Sequence, residues 1–188
     1  MRPRRADAAR MVLHELLVAL AVGGVVMAVT YTTFEHGLRA YEIGAARVET
    51  QQAARNAIQR LATEIRYAGR GARWTDAAIV VAEPSRLVLA SDLDDDGTTT
   101  DRGEQVTWQL VSSVLRRNGG TGAGAQPVIN GVRTFALRYF DVGGAPTTDV
   151  TAVCTVEITL VTEPAGPASS LAEGVASQFT TRVRLRNR

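Results

Sequence analysis

The chain is 188 residues long, 45% hydrophobic and 21% charged, with a formal net charge of +2, which fits one modest domain plus an appendage and leaves enough chain for one real core. All 21 basic residues are Arg; Arg47, Arg55, Arg60, Arg66, Arg70 and Arg73 are interleaved with acids and aromatics are few, so no nucleic-acid partner is expected. The single cysteine, Cys154, excludes an intramolecular disulfide and any Cys-based metal cluster.

The first ten residues, MRPRRADAAR, carry four Arg against one Asp, and residues 16–34 form a run of 19 uncharged residues. At 1.5 Å per residue that run makes a helix of about 28 Å, close to the hydrocarbon thickness of a bilayer. By the positive-inside tendency the Arg-rich start stays cytoplasmic and everything after Phe34 lies on the far side. A secretory signal peptide has a shorter apolar region followed by a small-residue cleavage site, whereas here a polar helical pattern follows. A buried core helix is the other alternative, and the run is long for one. Glu15 stands at the mouth of the run. A carboxylate near lipid either seeks a cationic partner or sits in the headgroup layer, and the residues leave both open.

The stretch MVLHELLVALAVGGVVMAV resembles the N-terminus of type IV pilins and pseudopilins. With Met11 as residue one of the mature chain, Glu15 is residue five, where that family carries glutamate. The resemblance implies cleavage between Arg10 and Met11 by a prepilin peptidase on the cytoplasmic side and methylation of the new N-terminus. It also implies pairing of Glu15 with the terminal amine, at Met11, of a neighbouring subunit. The family places Gly before the cut where this chain has Arg10, and usually an apolar residue where it has His14.

Beyond Phe34 the helical period continues through Ile43, Ala54, Ile58, Leu61, Ile65 and Ala68, with charged residues between them. Gly69 and Gly71 supply a stop, so one helix is expected from about residue 11 to 68. From Ala77 the pattern switches to period two. Strands are expected over 79–82, 86–91, 105–110, 114–117, 132–141, 150–162 and 178–185, punctuated by Pro84, Asn118-Gly119-Gly120, Gly143-Gly144 and Pro164 to Pro167. Over 150–162 Cys154 falls in phase with Val150, Ala152, Val156, Ile158 and Leu160, as a small inward-facing residue.

A long helix followed by consecutive strands predicts an α+β fold with a largely antiparallel β-sheet. The chain divides into a basic leader (1–10), a transmembrane half of the helix (11–36), an amphipathic half (37–70) and a β-rich globular domain (71–188). QQAARNAIQRLATEIRYAGRGA, SDLDDDG and VINGVRTFALRYFDVGG, in that order, resemble the minor-pilin branch, PilW-like and GspJ-like proteins. That resemblance implies a pilin-like fold and a periplasmic globular domain.

Asp92, Asp94 and Asp96, followed by Gly97 with Asp101 and Glu104 beyond, are the most metal-like segment, because calcium takes six to eight oxygens from a sharply turning loop. The calcium-loop spacing is not met: the twelfth position is Gly103 and Glu104 falls one residue late. An Asp-rich turn whose side chains bond their own backbone is the alternative. Catalysis finds little support. His14 and His36 are the only histidines, both in or beside the apolar helix, so no Ser-His-Asp or Cys-His pair is assembled in the globular part.

The expectation is therefore a non-enzymatic minor pilin or pseudopilin in the bacterial inner membrane, an assembly subunit of a type IV pilus or type II secretion pseudopilus. Its partners would be other pilins, inner-membrane lipid and the prepilin peptidase, with calcium as a candidate ion. The alternative is a signal-anchored periplasmic binding module outside any filament.

Overall fold

The computed structural model describes residues 5–71, 77–163 and 176–187, with helix side chains described from residue 11 onward. Its one long helix, α1 (Arg5–Tyr67), has 63 residues. It starts six residues before the expected boundary, because the Ala-rich segment ahead of Met11 favours helix. The chain separates into two compact units, Met1–Gly44 and Ala45–Arg188.

In the first unit α1 is long and apolar enough to cross a membrane, and none of its most apolar window is buried. Its threonine hydroxyls bond locally: Thr30 and Thr33 each donate to a backbone carbonyl one turn back, at 2.8 Å.

In the second unit the later turns of α1 bury one stripe, Ala54, Ala57, Leu61, Ala62, Ile65 and Ala68. The expected stripe residues Ile43, in the first unit, and Ile58 are only half-buried. The three alanines at 54, 57 and 62 let backbone approach sheet closely, while Leu61 and Ile65, fully buried, each contribute roughly 1.5–3 kcal/mol. The helix stops where Gly69 takes φ 76° and Gly71 φ 73°, and the Gly69 N–H passes to the Ala90 carbonyl at 2.7 Å, which joins the helix end to a strand.

The strands are β1 (Ile79–Ala82), β2 (Arg86–Ala90), β3 (Gln105–Val111), β4 (Val114–Asn118), β5 (Gln126–Asn130), β6 (Val132–Phe140), β7 (Thr155–Thr162) and β8 (Ser177–Arg184). All pairings are antiparallel, as expected. Among the described residues they form two sheets rather than one, a five-stranded meander β1-β2-β3-β4-β5 and a three-stranded β6-β7-β8. A single core joins the helix stripe to Leu87, Trp108 and Leu115 of the first sheet and to Phe135, Ile158 and Leu160 of the second.

Two of the expected strand boundaries are also corrected. β5 is a strand absent from the sequence reading. Pro127 lies within it, which argues against a central strand, but β5 is the outermost strand of its sheet, where a missing N–H is tolerated. The strand expected over 150–162 begins only at Thr155. Asp149 organises a turn instead, accepting the Thr151 N–H at 2.9 Å on its side chain and the Ala152 N–H at 2.9 Å on its carbonyl. Cys154 is buried as expected, but so is its neighbour Val153. The alternation in phase is thus broken just before β7 starts.

Candidate functional site

The residues singled out by sequence lie in two places. On α1, Met11 is 67% exposed and Glu15 is exposed as well. The backbone helix runs through Arg10, whose side chain lies outside the described residues. Leu16, Leu17, Leu20, Met27 and Phe34 are all exposed large apolar side chains. A Cβ added at Gly23 or Gly24 would meet nothing within 4 Å, so backbone is open to approach there by another helix.

The second place is the loop between β2 and β3. Asp92 opens it and is 2% exposed; Glu104 closes it and is also 2% exposed. The chain curls around Asp92 because Asp95 and Gly97 both adopt left-handed backbone, φ 62° and 86°. That curl brings the Gly97 N–H to Asp92 Oδ2 at 2.8 Å. A tight turn, in which the Glu104 N–H reaches the Asp101 carbonyl at 3.1 Å, folds Glu104 back into the loop. Its Oε1 accepts the Leu93 N–H at 2.7 Å and its Oε2 the Asp101 N–H at 3.1 Å.

Carboxylate oxygens of Asp92, Asp94 and Glu104 lie within 4.8 Å of one another, and so do those of Asp94, Asp96 and Asp101. The structure therefore groups Asp92 and Asp94 as the sequence suggested but puts Glu104, rather than Asp96, beside Asp92. Asp96 belongs to the exposed second trio, where it accepts the Thr98 N–H at 2.7 Å and the Thr98 hydroxyl at 2.9 Å. Spacing alone made Glu104 seem one residue late. The turn over 101–104 absorbs that residue, and the signal available in the sequence was Gly103 immediately before it.

Crowding of like charges has a titration consequence at Asp101, whose pKa is raised from the ordinary carboxylate value, first by the Asp96 charge, then by loss of solvent and by Glu104 and Asp94. The loop is also tied to the helix stop. The Asp92 N–H donates to the Arg70 carbonyl at 2.9 Å. Residue 71 must be glycine to lie against it, since a Cβ there would stand 2.5 Å from the Asp92 carbonyl oxygen.

The chain matches no protein-family model and no curated protein.

Proposed function

We propose that this chain is a membrane-anchored assembly subunit of the pilin or pseudopilin kind, a minor pilin that joins or primes a type IV pilus or a type II secretion pseudopilus. The observation that carries the reading is the apolar part of α1, none of whose most apolar window is buried. A helix apolar around its circumference needs lipid or other helices to cover it. The hydroxyls of Thr30 and Thr33, bonded to their own backbone, suit a setting without water.

In this reading the Arg-rich start remains in the cytoplasm and the Ala45–Arg188 unit is periplasmic. Cleavage between Arg10 and Met11 frees an amine. Glu15 of one subunit gains most from such a cation once the helices bundle and water is excluded, because Coulomb attraction grows as the effective dielectric falls. The role is structural, and no residue is assigned to catalysis.

The test is crosslinking in membranes of single cysteines engineered along residues 16–34 of this chain and of co-expressed pilin subunits. Helix-to-helix crosslinks with a periodicity of about 3.6 residues are expected. Absence of any crosslink to another subunit, with the chain still membrane-bound, would favour the signal-anchored binding module instead.

A further inference from the structure

We propose that the 92–104 loop is a calcium site in which Asp92, Asp94 and Glu104 hold the ion, with Asp96 and Asp101 closing the outer side. The proposal goes beyond the assembly role and does not depend on it. The acidic cluster alone would not carry it; the state of Asp92 does. Asp92 is 2% exposed, its Oδ2 accepts the Gly97 N–H, and its Oδ1 is buried without a hydrogen-bond partner among the described residues. A buried carboxylate oxygen left unpaired is costly, because it has given up water and received nothing in return.

The surroundings define what would satisfy it. Glu104, equally buried, and Asp94 bring oxygens to within 4.8 Å. No Arg among the described residues forms an ion pair with Asp92, Asp94 or Glu104. The backbone N–H groups of Leu93, Gly97 and Asp101 donate to the two buried carboxylates and fix their orientation. The open Asp92 oxygen and its carboxylate neighbours thus offer an all-oxygen set that a cation would complete.

The chemistry of the ligands narrows the choice of cation. The oxygens of the trio lie within 4.8 Å of one another, close enough for one ion with bonds of about 2.4 Å to touch all three. All candidate ligands are carboxylate oxygens, which suit a hard cation and not zinc or copper. Magnesium binds at about 2.0–2.1 Å and holds its waters, so it suits a smaller and more rigid set of ligands. The ion would do structural work. It would clamp the start of the loop to its end, where the Ser91 N–H already meets the Glu104 carbonyl at 3.1 Å, and through the Asp92 N–H it would hold the stop of α1 at Arg70.

The experiment uses the full-length chain in detergent micelles, stripped with a chelator, titrated calorimetrically with calcium chloride or magnesium chloride and melted with and without each. Calcium is expected to bind with about one ion per chain and to raise Tm, magnesium to do so far more weakly. Asp92→Asn and Glu104→Gln, which keep side-chain shape, should each weaken calcium roughly 10- to 100-fold or more. Asp95→Asn removes the same charge from the same loop but from neither trio, and should leave affinity unchanged. If the buried variants fail to fold, exposed Asp94→Asn carries the same expectation. No calcium heat and no Tm shift overturns the proposal. So does an equal response to magnesium, or equal weakening by Asp95→Asn, which would mean a diffuse ion atmosphere instead of a site.

Discussion

The indole N–H of Trp108 donates to Glu64 Oε2 at 2.5 Å, and this bond ties α1 to the centre of the five-stranded sheet. Trp108 is completely buried, so its donor has no water to fall back on. Glu64 Oε1 also accepts from Arg117 on the neighbouring strand β4 at 2.8 Å and from Arg60 one turn earlier at 3.3 Å. One carboxylate thus serves the helix, β3 and β4 together. Glu64→Ala should destabilise the Ala45–Arg188 unit by about 2–3 kcal/mol, because it orphans a buried donor and a partly buried guanidinium. Glu64→Gln, which keeps an acceptor for Trp108, should cost about half that. Urea unfolding of the full chain in detergent measures both, and equal losses would show that the charge matters more than the indole bond.

The helix stop at Gly69 is the next point of fragility. A Cβ there would lie 2.3 Å from the Asn187 carbonyl oxygen and 2.9 Å from Ala78 Cβ, at φ +76°. Gly69→Ala should cost about 2–4 kcal/mol, combining left-handed strain with displacement of backbone. Gly144 has a comparable φ of +82° but nothing within 4 Å of its added Cβ, so Gly144→Ala should cost only about 1 kcal/mol. Comparison of the two denaturation midpoints separates strain from clash.

Alkaline stability is expected to depend on Tyr139. Its hydroxyl donates to the Glu83 carbonyl at 2.7 Å, and burial, with a smaller contribution from the Glu83 charge, raises its pKa well above the ordinary tyrosine value. A raised folded pKa means that the native state holds the proton more tightly than the unfolded chain. The stabilisation is therefore complete below about pH 10, where unfolded tyrosine ionises, and is lost progressively above it. Tyr139→Phe should flatten the fall of Tm with pH in that range and cost about 1 kcal/mol at pH 7 for the lost hydrogen bond. An unchanged alkaline slope would assign the pH dependence to another group.

Glu15→Gln should leave the melting of the Ala45–Arg188 unit unchanged, because Glu15 belongs to the other compact unit. Under the proposed assembly role the same change should reduce incorporation into the multi-subunit complex severalfold, as a neutral amide is a poor partner for an amine in low dielectric. Quantitative co-purification of partner subunits reads the effect. Equal yields from both proteins would leave Glu15 as a headgroup-facing carboxylate.

The mature chain should begin at Met11 if the pilin-type processing applies. Intact-mass measurement of the membrane-extracted protein decides this, and a chain retaining Met1 would remove the cleavage step while leaving the membrane anchor open.

Much of the architecture was legible from residue order. The uncharged run of residues 16–34 and the Gly69 and Gly71 stop follow from local composition, and the stripe through Ala54, Leu61 and Ile65 and seven of the eight described strands from periods of 3.6 and 2, all properties of neighbouring residues. Tertiary structure decided what depends on residues distant in sequence. Glu64 meets Trp108 and Arg117 across separations of 44 and 53 residues, and no local pattern announces such a pairing. The division into two sheets depends on which strand edges the core leaves open. β5 exists because an edge position forgives Pro127, and β7 starts late because Asp149 offers the backbone a competing turn. The ligand set of the acidic loop belongs to the same class: the residues of 92–104 were visible in order, but only the fold of the chain could bury Asp92 and bring Glu104 back to it, since burial and proximity are properties of packing rather than of spacing.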